Sequence, residues 1–246
     1  MLTREEAISK AKAELKKEYS KEEYSLIQAV RSVEDLEKAK NLLIQRIKEW
    51  FNINFPEVTV FDDKLVELIS VFSVKENFDE KKLSNIVGDK KAVELTLKAK
   101  NSFGAKLQKN DAEALQQLAV QVKSINDTIK YMEEYIEKTS LKVMPNTTRI
   151  AGAVVASKLL AKTGDLEKLA KMPASTIQVL GAEKALFKHL KTNSKPPKHG
   201  LIFQNAFVSG SPPKERGKKA RKIAAKIAIA LKADAFTHRD IATYLK

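Results

Sequence analysis

The sequence predicts an all-α protein in which a long antiparallel coiled coil is followed by a compact helical domain. Helix breakers are scarce, since the 246 residues include 8 Gly and 7 Pro, and Pro56 is the single proline among the first 140 residues. Lys, Glu, Ala, Leu and Ile are abundant, and these residues favour helices. Apolar residues also recur with helical periodicity over two long stretches, 20–52 and 111–141.

The stretch 111–141 has the clearest pattern. Its apolar residues alternate steps of three and four: Leu115, Leu118, Val122, Ile125, Ile129, Met132 and Ile136. Such a heptad seam fits either a buried helix in an ordinary bundle or a coiled coil. In the coiled-coil interpretation, the helix predicted over 20–52 is the antiparallel partner. Residues 53–110 then form a tip of shorter helices, predicted over 63–72, 79–87 and 90–100.

Local signals place the other elements. Thr3 and Glu6 form a possible capping box for a polar helix over 3–17. The break at Met144-Pro145-Asn146 divides a coiled-coil and dimerisation domain, 1–144, from a second domain, 145–246. In the second domain we expect helices over 146–162, 165–171, 182–191 and 218–232, and a short strand or extended loop over 200–208.

The net charge of +14 lies entirely in the C-terminal part of the chain. Residues 1–146 contain 25 Lys and Arg against 25 Asp and Glu, whereas residues 147–246 contain 20 against 6. A strongly basic surface attracts polyanions and favours contacts with phosphate groups. The charge therefore indicates a neutral frame that carries a basic domain, with nucleic acid as the expected ligand.

Several other functions find little support. The absence of Cys excludes disulfides and thiol nucleophiles, and a sequence without Cys fits a reducing cytoplasm. No apolar run approaches the roughly 18 residues of a membrane span, and the charged N-terminus does not resemble a signal peptide. Three His, scattered carboxylates and no nucleotide-binding or metalloprotease motif leave no catalytic set. We expect no enzyme activity, no cofactor and no metal.

Two basic segments are candidates for phosphate contacts. The helix that begins after Gly181 offers free amide groups at its N-terminus, and Lys184, Lys188 and Lys191 share one of its faces. That lysine face is equally typical of a solvated surface helix. Leu186, Phe187 and Leu190 point away from it, and we expect Phe187 in the core.

The loop after this helix, Lys195-Pro-Pro-Lys198-His199, is held extended by its prolines. His199 could stack on a base or simply anchor the loop.

The last helix, 218–232, has one apolar and one basic face. Its apolar stripe, Ala220, Ile223, Ala224, Ile227 and Leu231, lies roughly opposite Lys218, Lys219, Lys222 and Lys226. Such a helix could touch a membrane surface, but its small apolar face without aromatics favours packing into a core.

The run from Pro173 to Phe187, PASTIQVLGAEKALF, followed by PKHGLIF at 197–203, closely resembles the Nop domain of box C/D ribonucleoproteins. The segment WFNINFPE at 50–57 resembles the signature of that family's coiled-coil region, and 218–236 is similar to its basic, alanine-rich segment. The resemblance covers nearly the whole chain. It is strongest toward archaeal scaffold proteins of box C/D particles, with a cytoplasmic location there and a nucleolar one in eukaryotes.

The resemblance implies partners and site residues. The expected partners are a box C/D guide RNA with its kink-turn stem, the ribosomal-type protein bound to that kink-turn, and a second copy joined through the coiled coil. Fibrillarin would dock only through a domain absent from this chain, and no membrane is involved. The expected RNA- or ribonucleoprotein-binding residues are Gln178, Gly181, Ala182, Glu183, Lys184, Lys188, His189, Lys191, Lys195, Lys198, His199, Arg216, Lys218, Lys219 and Lys222.

A rival reading is a structural coiled-coil protein whose basic end is a non-specific anchor for DNA or a membrane surface. Residues 173–187 discriminate between the two, because an electrostatic anchor needs positive charge but no fixed Gly-Ala-Glu-Lys sequence. The charge favours a nucleic-acid ligand, and the resemblance implies a non-enzymatic RNA-binding scaffold of a particle that guides RNA 2'-O-methylation.

Overall fold

The computed structural model describes residues 3–192 and 194–245, and within these ranges it contains helices and turns but no strand. The helices, numbered in chain order, are α1 Arg4–Tyr19, α2 Glu22–Asn54, α3 Asp62–Phe72, α4 Glu80–Val87, α5 Asp89–Lys100, α6 Lys109–Val143, α7 Pro145–Ala151, α8 Ala153–Thr163, α9 Leu166–Ala170, α10 Ala174–Val179, α11 Glu183–Thr192, α12 Ala206–Ser209 and α13 Arg216–Lys232. The all-α prediction is confirmed. None of these helices is long and apolar enough to cross a membrane.

Helix α1 starts with the expected capping box. The backbone N–H of Thr3 donates to Glu6 Oε2 at 2.8 Å, and the N–H of Glu6 donates to Thr3 Oγ1 at 3.3 Å. These two bonds satisfy amides that no turn of the helix could satisfy.

The chain forms two compact units, Val33–Tyr131 and a second one made of Met1–Ser32 and Met132–Lys246. The predicted boundary between residues 144 and 145 stays a prediction. In the first unit, apolar residues from the C-terminal part of α2 share a core with residues from the N-terminal part of α6, as an antiparallel pair requires. The shared core residues include Ile47, Phe51, Leu115 and Val122, and α3, α4 and α5 contribute Leu68, Leu83 and Leu95.

The second unit contains helices α7 to α13, with α13 packed against α7, α9 and α10. All five residues of its predicted apolar stripe are buried. Two local predictions were wrong. The helix expected over 146–162 is split at Gly152, whose φ of 83° ends α7 and precedes α8. The segment 200–208, expected to be extended, forms a 3₁₀ turn at Leu201–Gln204 and then α12.

A buried carboxylate fixes the start of α7. Asp234 lies in a π-helical turn, Ala233–Thr237, and accepts four hydrogen bonds of 2.7–3.0 Å from the backbone and side chains of Asn146 and Thr147. The Oδ1 atom of Asn146 in turn accepts from the backbone N–H groups of Ile241 and Ala242. The C-terminal segment is thereby joined to the helix that follows α6.

Candidate nucleic-acid interface

Helix α11 has no buried residue, and this overturns part of the sequence prediction. Phe187 is 61% exposed and Leu190 is 69% exposed, so neither belongs to the core. Lys184, Lys188 and Lys191 are exposed as expected. At 100° per residue, Leu186, Leu190 and Phe187 form one edge of α11, and the three lysines form the edge beside it. The helix therefore presents an apolar strip next to a basic strip.

The N-terminus of α11 is held by Glu183. Its carboxylate accepts a hydrogen bond from the backbone N–H of Gly181 at 2.8 Å and forms an ion pair with Lys162 on α8 at 3.4 Å. Partial burial acts to raise the pKa of this carboxyl, but the backbone hydrogen bonds and Lys162 outweigh it, so the pKa lies below its usual range. Glu183 is thus ionised and engaged within the protein, as a group that stabilises a helix N-terminus.

The segment around Gln178 is bonded directly to the loop after α11. The Gln178 side-chain amide donates to the backbone carbonyl of Lys198 at 2.7 Å. The backbone carbonyl of Gln178 accepts from the N–H of Gly200 at 2.9 Å. The N–H of Leu201 donates to the carbonyl of Leu180. The two backbones lie so close that a Cβ atom on Gly200 would stand 2.0 Å from the Leu180 oxygen. Residues 178–182 and 198–201 therefore form one rigid junction.

His199 stacks on another ring of the protein and is partly buried. Its ring stacks on Phe203 with centroids 4.5 Å apart, and the guanidinium of Arg216 lies 5.2 Å from the centroid of the same phenyl ring. Burial lowers the pKa of His199, and the cations Arg216 and Lys198 lower it further, which keeps the ring neutral at pH 7. Of the two roles left open for His199, these contacts fit an anchor for the loop.

His189, half-buried on α11, contacts the backbone carbonyl of Ser194 through Nδ1 and ties the end of the helix to the following loop. Lys195 and Lys198 are exposed in that loop. The structure thus joins Gln178 to Lys198 by a hydrogen bond, and it joins His199 to Arg216 through the Phe203 ring. Gly181, Ala182 and Glu183 follow from the same junction into α11.

The basic face of α13 completes the surface. Lys218 and Lys222 are exposed, and Lys219 lies with its Nζ 4.4 Å from the centroid of the Phe207 ring. The backbone of Gly217 lies beside the Lys198 side chain, so the start of α13 meets the proline-rich loop. The Arg216 side chain also donates to the carbonyl of Ser211 at 3.0 Å.

Sequence reasoning missed Lys162, Phe203 and Phe207 in this region. Phe203 and Phe207 are four residues apart, a spacing typical of one helical face, but the segment 200–208 was interpreted as extended. Lys162 gives no local signal, since its partner Glu183 is 21 residues away in sequence. Within the described residues, no group of His, Asp or Glu is arranged to hold a metal ion.

Comparison with known families identifies this architecture. The model of the Nop family, described as "snoRNA binding domain, fibrillarin", matches residues 32–245. The chain belongs to the Nop family. The match extends over most of both units. The long helices therefore belong to one family domain with the lysine-rich surface of α11, the loop after it and α13, which is called the basic head from here on.

Relatives of this Nop protein occur in archaea and fungi. It is 41% identical over 212 residues to an uncharacterised NOP5 family protein of Methanocaldococcus jannaschii, an alignment that covers 85% of this chain and 51% of the relative. It is 34% identical over 235 residues to nucleolar protein 58 of Aspergillus terreus, covering 94% of this chain and 41% of the relative. It is 36% identical over 220 residues to nucleolar protein 58 of Schizosaccharomyces pombe, covering 87% of this chain and 43% of the relative. The chain therefore spans about half or less of the length of these relatives.

A solved structure shares the fold. The crystal structure of a fibrillarin/Nop5p complex superposes with a TM-score of 0.56 at 25% sequence identity, covering 98% of this chain and 72% of that one. This similarity agrees with the all-α architecture of the Nop protein.

Proposed function

We propose that this Nop protein is a non-enzymatic scaffold of a box C/D-type ribonucleoprotein, and that its basic head binds kink-turn RNA together with the ribosomal-type protein already seated on it. Family membership supports the RNA class. The finer proposal, a surface made of RNA and protein together, rests on the geometry of α11.

The two adjoining edges of α11 carry the proposal. Exposed Phe187 and Leu190 offer apolar area that suits a protein surface, because large exposed apolar side chains are typical of protein contacts. Lys184, Lys188 and Lys191 beside them suit a phosphate backbone. A ligand with RNA and protein surfaces side by side would satisfy both edges at once, whereas RNA alone would leave the apolar edge in water.

The rim around α11 supports RNA as the charged component. Lys195, Lys198, Lys218 and Lys222 are exposed and none is in an ion pair within the residues described. The rigid junction at 178–182 and 198–201 holds the loop that bears Lys195 and Lys198. A backbone that is already held loses less entropy when its lysines bind phosphate than the backbone of a mobile tail does.

We propose in addition that two copies associate through the first unit, which contains much of both long helices. Several large apolar side chains remain exposed there, including Leu42, Val71 and Leu97. A chain that lacks the tip, residues 53–110, but keeps both long helices is expected to be monomeric in sedimentation equilibrium.

The deciding experiment is a mobility-shift titration on kink-turn RNA, with and without its ribosomal-type binder, at about 150 mM salt. We expect weak, salt-sensitive binding to the naked RNA and much tighter binding to the protein–RNA complex. Equal affinity for both would refute the composite surface. The non-specific anchor predicts that outcome, and also predicts similar affinity for random duplex DNA of the same length.

A further inference from the structure

The loop between α5 and α6, residues 101–108, belongs to the first unit and is distant in sequence from the basic head. It contains no helix, yet its backbone is held by buried polar side chains. Asn54 donates to the carbonyl of Ala105 at 3.0 Å, and Lys75 donates to the carbonyl of Gly104 at 2.7 Å and to Ser102 Oγ at 2.9 Å. Asn54 and Lys75 are themselves buried.

Within this fixed loop, Phe103 points into solvent. Glu57 accepts the N–H of Phe103 at 3.1 Å and the hydroxyl of Ser102 at 2.7 Å, so the backbone on which Phe103 stands is bonded in place. The Phe103 side chain is nevertheless 83% exposed. A rigid support for a solvated aromatic ring costs conformational entropy and gives no packing in return. The ring is therefore available to a ligand.

The charge around Phe103 indicates what kind of ligand this is. Lys100 and Lys106 lie three residues to either side, both exposed, and neither forms an ion pair within the described residues. The nearby acidic groups are engaged inside the unit. Glu94 is paired with Lys91 and Lys98, Glu76 accepts from Asn54, and Glu57 binds the loop itself. The exposed charged side chains nearest to Phe103 on either side along the chain are accordingly Lys100 and Lys106.

We propose that the 101–108 loop is a contact for single-stranded RNA, separate from the basic head, in which Phe103 stacks on a base while Lys100 and Lys106 meet the flanking phosphates. An exposed aromatic ring between lysines, on a segment whose backbone is held by hydrogen bonds, is the combination that binds single strands with little sequence preference. Self-association at this loop is disfavoured, because a symmetric contact would place the lysines of two copies together. The proposal does not depend on recognition of a kink-turn by the head.

The test uses the full chain carrying Lys184→Ala, Lys188→Ala and Lys191→Ala, so that binding by α11 is removed. Affinity for a fluorescent 12-nucleotide oligouridine is measured by anisotropy from 50 to 200 mM salt. Phe103→Ala is expected to weaken binding about tenfold. Lys100→Glu with Lys106→Glu should reduce the slope of log affinity against log salt by about 1.4. Phe103→Trp should bind at least as tightly, with its fluorescence quenched by the stacked base.

The matched control is Lys64→Glu with Lys123→Glu, which makes the same change of net charge at exposed positions of the same unit. It is expected to change the salt slope much less than the loop pair does. Equal effects of the two pairs, or an unchanged affinity of Phe103→Ala in a protein of normal helicity, would overturn the proposal. So would a Phe103→Ala variant that turns a dimer into a monomer in sedimentation equilibrium, since the loop would then be a self-association surface.

Discussion

The imidazole ring of His199 lies nearly parallel to the phenyl ring of Phe203, with an angle of 16° between the ring planes. This stack joins the lysine-bearing loop to the turn at Leu201–Gln204. The guanidinium of Arg216, at the start of α13, lies against the Phe203 ring. The loop, the turn and the start of α13 are thus linked through the Phe203 ring.

The stack makes the stability of the head dependent on pH. The pKa of His199 lies below its ordinary value of 6.5, so the unfolded chain binds a proton more readily than the folded one near that pH. Stability from this group is present above about pH 6.5 and is lost as the pH falls below it. In urea unfolding, the unmodified protein should lose stability between pH 7.5 and pH 5.5. We expect a smaller loss for His199→Phe, which keeps the ring stack but has no imidazole to protonate. Equal losses in the two proteins would refute the role of His199 in this pH dependence.

Phe187→Ala separates the interface from the core. Because Phe187 is mostly exposed, we expect the free energy of unfolding to change by only about 0.5 kcal/mol. Binding to the protein–RNA complex is expected to weaken at least tenfold, measured by mobility shift. The control Leu159→Ala, at a fully buried position, should cost about 2–5 kcal/mol in the same unfolding assay. A Phe187→Ala variant that melts as Leu159→Ala does would contradict the exposed placement.

Lys184→Ala tests the basic edge of α11. A lysine–phosphate contact is electrostatic and carries no sequence information, so affinity should drop to a similar extent for stems of different sequence. The slope of log affinity against log salt should decrease by about one. Lys64→Ala, an exposed lysine of the other unit, is the control and should leave the slope unchanged. A sequence-dependent loss at Lys184 would indicate a base contact instead.

Asp234→Ala removes a buried acceptor that serves four donors. Since those buried donors on Asn146 and Thr147 would lose their partner, we expect a loss of about 3 kcal/mol in urea unfolding. The control is Asp240→Ala, which breaks an exposed ion pair with Arg149 and should have a much smaller effect. Similar losses from both variants would mean that the Asp234 network contributes little.

Gly200→Ala tests the junction between the two backbones. The new Cβ atom would meet the Leu180 carbonyl oxygen at 2.0 Å, and neither backbone can move without breaking its hydrogen bonds. We expect a clear decrease in the melting temperature of the head by differential scanning calorimetry. Gly217→Ala is the matched control, because its Cβ would make only ordinary contacts of 3.6 Å in a helix. Gly217→Ala should leave the melting temperature unchanged or raise it slightly. A Gly200→Ala protein with the same melting temperature as Gly217→Ala would refute the close approach of the two backbones.

Much of the fold could be predicted from the sequence because its signals are local or periodic. The heptad steps from Leu115 to Ile136 place every seam residue in a buried or half-buried position on α6. The short helices predicted at 63–72, 79–87 and 90–100 are confirmed to within a residue or two as α3, α4 and α5. Hydrophobic periodicity reports such elements directly, since each turn of a helix repeats the same choice between core and solvent.

The sequence by itself determined the helical class, the seam, the buried stripe of α13 and the separation of charge along the chain. Only the tertiary structure decided that Phe187 and Leu190 stay exposed, that His199 stacks on Phe203, and that a rigid loop holds Phe103 in solvent. The periodicity of α11 is the same whether its apolar edge meets the core or a partner. Which of the two it meets depends on where tertiary packing places the helix. Contacts between residues distant in sequence, such as Glu183 with Lys162, leave no periodic trace in the chain.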